Sequence, residues 1–253
     1  MLDTTLVFIG GVFALAGFVK GMLGLGLPTL SMAILVFVMQ PVDAAAILLL
    51  PSLVTNVWQM VAGPSLRAVA RRLWPTMVAA CAGTWTGAGL MTGMTGHYGT
   101  PLLGATLIAY AAFGLTGVGF NITAQWEPFA GPAVGVVTGV ITAATGVFVI
   151  PAVPYLHAIG LGKEELVQAL GLSFTVSTAA LAVNVATAGA IDAAAAGTTI
   201  VALVVACAGM WIGRAVRLRM APAAFRGWFF LGLLALGLYL TGSAVLPAVR
   251  HML

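Results

Sequence analysis

Residues 17 to 28 read Gly17-Phe18-Val19-Lys20-Gly21-Met22-Leu23-Gly24-Leu25-Gly26-Leu27-Pro28, in the middle of an apolar run from residue 4 to residue 39. At 1.5 Å per residue such a run would make a helix of roughly 52 Å, whereas the hydrocarbon core of a bilayer is only about 30 Å thick. The glycines and the proline therefore mark a break at which the chain doubles back. A second overlong run, residues 129 to 161, is interrupted in the same way by Gly146, Pro151 and Pro154.

Around these two runs the sequence is apolar throughout. Of its 253 residues 61% are hydrophobic and 6% charged, with a mean hydropathy of +1.12, against roughly 25% charged in a soluble domain. Further apolar stretches cover residues 44–63, 73–96, 101–120, 166–188, 193–212 and 228–249. Roughly eight crossings of about 20 residues fit this length, and a soluble fold is excluded by composition. The start Met1-Leu2-Asp3 lacks a basic region, and no small-residue cleavage site follows, so the first stretch reads as part of the mature protein.

The two breaks reveal an internal repeat. An offset of 122 places Gly17 on Gly139, Gly24 on Gly146, Asp43 on Glu165, Thr55 on Ser177 and Asn56 on Thr178. After each break an acidic residue, Asp43 or the pair Glu164 and Glu165, opens the next helix, where a carboxylate suits the positive end of the helix dipole. The expected halves are residues 1–122 and 123–253, forming one transport domain. Their basic loops occupy different places: Arg67, Arg71 and Arg72 join the second and third segments of the first half, and Arg214 to Arg226 join the third and fourth of the second. If basic loops share one side of the membrane, the halves are inverted. The fold class expected is thus an all-α integral membrane protein with an inverted repeat, each half a broken, re-entrant stretch plus three spanning helices. Transporters of that architecture place substrate near the midplane between discontinuous helices. Eight simple crossings with parallel halves would put the second basic loop outside and fit less well.

Lys20 is the one basic residue within the membrane segments proper. A charge at that depth costs at least about 2.5–3.5 kcal/mol and marks a functional candidate, with snorkelling to an interface as the bland alternative. Beside it, Gly21, Gly24 and Gly26 let backbone approach a ligand and leave N–H groups free at the next helix start, the elements of an anion site. The same glycines also suit close helix packing, as in Gly17-xxx-Gly21. The second break offers Thr142, Thr145 and Gly146. After the first break, Ser52, Thr55, Asn56 and Gln59 recur at i, i+3, i+4 and i+7 on one helix face, and the matching face of the second half carries Ser173, Ser177 and Asn184 with Thr178 nearby. Such stripes must face protein or water. Interhelical hydrogen bonding is the plainer account of each Ser and Thr; amides beside a lysine also suit an oxyanion.

Other chemistries find no support. Cys81 and Cys207 lie in apolar segments without a CxxC, and His97, His157 and His251 are scattered, so neither disulfides nor a metal is expected. Gly160-Leu-Gly162-Lys163-Glu164 lacks the first glycine and the Ser or Thr of a phosphate loop. No acid, base or nucleophile cluster indicates an enzyme, and no cofactor is expected. The net charge of +4 arises largely from the seven of ten basic residues in the two basic loops, which is topology, not nucleic-acid binding. The six tryptophans lie mostly at segment ends and read as interface anchors, and Asp192 reads as a helix cap.

Gly17 to Gly26, leading through Pro41-Val-Asp43 to Asn56, resembles the N-terminal signature of the sulfite exporter TauE/SafE family. So does Gly139-Val-Ile-Thr-Ala-Ala-Thr-Gly146-Val-Phe-Val-Ile-Pro151, leading into Ala169-Leu-Gly171-Leu-Ser173. The resemblance covers essentially the whole chain. It implies a secondary carrier for sulfite or organosulfonates such as sulfoacetate, usually outward, in the bacterial inner membrane and without a prosthetic group. The sequence departs from relatives at Val147-Phe148-Val149, bulkier than Gly24-Leu25-Gly26, and at Thr142, which stands opposite Lys20 in the repeat.

The reading is an anion exporter working by alternating access, with the substrate-binding candidates just named. Its partners are a small anion and the lipid bilayer, and homo-oligomers are compatible with it. The alternatives are an anion channel and a non-transporting scaffold subunit.

Overall fold

The structure is a computed structural model that describes residues 2–91, 96–117, 119–191, 195–219 and 222–250. Asp192, His251 and the side chain of His97 lie outside the described residues. The described chain forms ten helices: α1 (Leu2–Leu23), α2 (Leu27–Leu35), α3 (Pro41–Val61), α4 (Leu66–Thr86), α5 (Gly96–Thr116), α6 (Glu127–Thr145), α7 (Ala152–Ala158), α8 (Lys163–Thr187), α9 (Ala196–Arg217) and α10 (Pro222–Arg250). Seven are long and apolar enough to cross a membrane: α1, α3, α5, α6, α8, α9 and α10. α4 is as long as α3 but carries three arginines in its first two turns. Large apolar side chains such as Val7, Phe129 and Trp211 face outward, as lipid requires.

Both overlong runs break where expected, and unequally. The first leg of each is a long helix of 22 or 19 residues, and the second leg, α2 or α7, has only nine or seven. Gly24 and Gly146 end the long legs with φ of 77° and 71°, a left-handed conformation that side chains disfavour. Their N–H groups donate to the carbonyls of Lys20 and Thr142, so the repeat seen in sequence is also a repeat of backbone hydrogen bonds. Asp43 lies in the first turn of α3, and Glu165 in that of α8, where it accepts from the Gly162 N–H.

The helices pair in a pattern that is preserved when α1–α5 are exchanged with α6–α10. α1 lies along α9, with Gly17 at Ala206 and Gly21 at Met210, and α6 lies along α4, with Gly135 at Thr76 and Gly139 at Ala80. Both pairs run parallel. α3 and α8 cross antiparallel, since Asn56 meets Thr178, Gly171 meets Met60 and Gln168 meets Gly63. α5 and α10 are antiparallel too: Gly104 meets Gly237 and Thr241, and Gly114 meets Phe230. α1 thus packs among the last five helices, and α6 among the first five. Antiparallel contact between repeat-equivalent helices is compatible with an inverted arrangement.

One expectation needs correction. Arg67, Arg71 and Arg72 are not in a loop but on the first turns of α4, while Arg214 and Arg217 end α9 and Arg226 lies on α10. Helical hydrogen bonding continues past the apolar segment, because a polar helix end at the membrane surface satisfies its backbone without lipid. These ends gather at one end of the bundle, the basic face, where Arg72 donates to Glu127 at 2.5 and 2.9 Å and to the Ile159 carbonyl at 2.8 Å.

Candidate functional site

Lys20 sits in the last turn of α1, one turn before the break, and is 3% exposed. α1 is apolar on both sides of it, and the close approach of Gly17 and Gly21 to α9 fixes the helix against that neighbour. A Cβ on either glycine would lie 2.2 Å from a carbonyl oxygen of α9, so these two positions serve close packing. The Lys20 ammonium donates to Asn56 Oδ1 on α3. Asn56 in turn donates through Nδ2 to Thr178 Oγ1, 3.3 Å away on α8, and Thr178 donates to the Phe174 carbonyl at 2.6 Å. One chain of hydrogen bonds therefore links α1, α3 and α8 through a repeat-equivalent pair.

No carboxylate among the described residues pairs with this amine. Among the described residues the ion pair is Arg72–Glu127 at the basic face. Lys20 is thus a buried cation held by a neutral amide, which fixes its position and leaves its charge uncompensated.

A cavity of about 580 Å³ leads from the basic face to this lysine. Lys20, Gly21, Gly24 and Gln59 line it, and toward the mouth it meets Lys163, Arg214 and Arg217 beside one carboxylate, Glu164. Basic groups thus stand at both ends of a pocket whose walls are otherwise largely apolar, three of them against the single carboxylate of Glu164 toward the mouth. Gln59 donates through Nε2 to the Val167 carbonyl at 3.0 Å.

The other candidates divide by position. Asn56 and Thr178 stand behind Lys20. Ser52 and Thr55 are buried further along α3, where Thr55 donates to the Pro51 carbonyl at 2.7 Å and the Ser52 hydroxyl has no partner. Gly26, with φ of 104°, forms the start of α2 and touches Val19 and Phe229 instead of the cavity. Pro28 in the first turn of α2 removes one of the N–H groups that were expected to be free there. Ser173 and Ser177 are buried on α8. At the second break Thr142 donates to the Thr138 carbonyl, and Thr145 donates to Ile141 and accepts from the Val147 N–H. Neither lines the large cavity, and nor does Gly146, which packs on Met32.

Four contributors escape the sequence pattern. Gln168 accepts from the Ser65 N–H at 2.7 Å and donates to the carbonyls of Met60 and Gly63, clamping the α3–α4 turn onto α8. Trp58 and Trp211, which read as interface anchors, also line the cavity, and so does Cys207. The only signal in the sequence was Gln168 itself, an amide inside an apolar segment.

A small second cavity, about 20 Å³, lies at the other end of the bundle. Adding the repeat offset to Gly21, Gln59, Ala62 and Gly63 of the large cavity gives Ala143, Leu181, Asn184 and Val185, and subtracting it from Glu164 gives Val42. All five line the small cavity. Residues 122 positions apart therefore line two cavities, one open and one nearly closed, which is compatible with a repeat.

No curated protein and no solved structure matches the chain. Residues 9–240 match the family model described as sulfite exporter TauE/SafE. With the apolar helices and the paired breaks, that match over most of its length identifies a multi-pass membrane protein: the chain belongs to the TauE/SafE sulfite exporter family, whose members are membrane transporters.

Proposed function

We propose that the protein exports a small sulfur-containing anion, such as sulfite or a sulfoacetate-like organosulfonate, across the bacterial inner membrane. The observation that carries this reading is Lys20: a buried basic group with no carboxylate partner among the described residues, fixed by Asn56 at the inner end of a cavity whose mouth carries three basic residues and one acidic one. A pyramidal or tetrahedral oxyanion would take its charge from Lys20. A hydrogen bond would come from the second Nε2 hydrogen of Gln59, Gly21 and Gly24 would let the anion lie close against the backbone, and Thr142 and Thr145 would be reached in the opposite state.

In this reading residues 1–122 and 123–253 are inverted repeats, the basic face is cytoplasmic, and the structure is open to that side. Movement of one half against the other exchanges the open and closed cavities. The collapse of the second cavity to about 20 Å³ favours a carrier over a channel, which needs both ends open together.

The test is anion binding to detergent-purified protein, followed by thermal shift, for sulfite, sulfoacetate, sulfate and acetate. Saturable stabilisation by sulfite or a sulfonate, abolished in Lys20→Ala, is the expected result. Binding that survives Lys20→Ala would place the site elsewhere, and no binding by any of these anions to a folded wild type would refute the assignment.

A further inference from the structure

Another sizeable cavity, about 480 Å³, lies on the opposite side of the first break. Lys20, Gly21 and Gly24 face the proposed transport cavity, whereas Met22, Leu23 and Leu25 face this one. Its remaining wall comes largely from apolar side chains of α5, α8 and α10, among them Phe113, Leu170 and Phe230.

Its polar groups have one sign. Arg226 and His157 line it together with Arg217, which also borders the transport cavity, and no carboxylate among the described residues does. Neither arginine has an ion pair among the described residues. Tyr110, 1% exposed and set edge-on against Phe230, contributes a buried hydroxyl with no hydrogen-bond partner among the described residues. A buried donor left in that state costs free energy that a ligand acceptor would recover.

We propose that this cavity binds an anionic phospholipid from the leaflet at the basic face, with an acyl chain along the apolar wall and the phosphate at Arg217 and Arg226. Guanidinium forks suit phosphate oxygens, and basic pockets between membrane helices suit anionic headgroups. A small oxyanion would satisfy the arginines but leave the apolar wall uncovered. An uncharged acyl chain would cover the wall but leave the arginines and the Tyr110 hydroxyl without acceptors, whereas a glycerol ester supplies one. The volume falls within the ordinary range for small-molecule sites, about 300–1,000 Å³. A lipid seated here would buttress Met22, Leu23 and Leu25 from behind the break, and the site stands independently of which anion the protein carries.

The experiment uses full-length protein, delipidated in an uncharged detergent and titrated with phosphatidylglycerol or with phosphatidylcholine of equal chain length. Bound lipid is counted by native mass spectrometry and stability followed by thermal shift, with inorganic phosphate as a third arm. Wild type should prefer phosphatidylglycerol. Arg226→Gln should reduce that preference roughly fivefold, the worth of one arginine near an anionic headgroup. Leu166→Trp, which fills the cavity from α8, should reduce binding of both lipids. Equal binding of the two lipids to wild type, or an undiminished preference in Arg226→Gln, would overturn the proposal. So would stabilisation by inorganic phosphate equal to that by phosphatidylglycerol, which would make this a free-anion site. Arg226 is exposed, so its variant keeps the test decisive if Leu166→Trp fails to fold.

Discussion

At the scale of single residues, Lys20 and Asn56 make opposite predictions for two similar substitutions. Asn56→Asp puts a carboxylate where the amide oxygen receives the lysine, closing an internal ion pair. The protein should fold normally and lose anion-dependent stabilisation in a thermal-shift assay, because the cation no longer needs an external partner. Undiminished anion binding in that variant would mean that Lys20 is not the countercharge. Asn56→Ala instead removes the acceptor and leaves a buried ammonium unsatisfied, at a cost of about 1–3 kcal/mol or more, read as a lower melting temperature without anion. Lys20 was visible in the sequence because a charge inside an apolar run is rare and expensive. The orientation of Asn56 was not. Its spacing placed it on a polar face, but whether an amide turns N–H toward a ligand or oxygen toward a lysine depends on which helix lies opposite, and α1 is 36 residues away.

At the scale of elements, the spacing of α1 from α9 is set by glycines on both. Gly17 and Gly21 meet the carbonyls of Ala206 and Met210, and Gly209 and Gly213 meet those of Ala14 and Phe18. Gly17→Ala would bring a methyl within 2.2 Å of backbone that cannot yield locally. The two helices must separate, at about 1–3 kcal/mol, whereas Gly10→Ala, with open space around it, should leave the melting temperature nearly unchanged. Equal effects at both positions would show that this seam does not set the packing. The breaks were legible because length alone forbids a continuous helix over residues 4–39. The partners were not legible, since small-xxx-small spacing marks a face that packs without naming what packs on it. That α1 joins the opposite half, and that Gln168 clamps the turn after α3, are products of the assembled bundle.

At the scale of the whole molecule, the proposed alternating access makes a specific demand on the open and closed cavities: each of the two proposed repeats should be able to take the conformation now held by the other. Gly21 of the large cavity corresponds to Ala143 of the small one, and the native Cys207 already lines the large cavity. In a Cys81→Ser background, a membrane-impermeant thiol reagent applied at the basic face should label Cys207, and bound anion should slow that labelling. With Cys207 also replaced by Ser, Ala143→Cys should resist reagent applied from the opposite face while anion is absent. It should become reactive when anion drives turnover, because the small cavity must then widen toward the size of its counterpart. The two positions should respond in opposite directions, since one half cannot open both ends. Simultaneous full reactivity of both without anion would describe a continuous pore and favour a channel. Transport with Ala143→Cys permanently inert would mean that the closed cavity lies off the path, and that the repeat is a device of folding and packing, not of access.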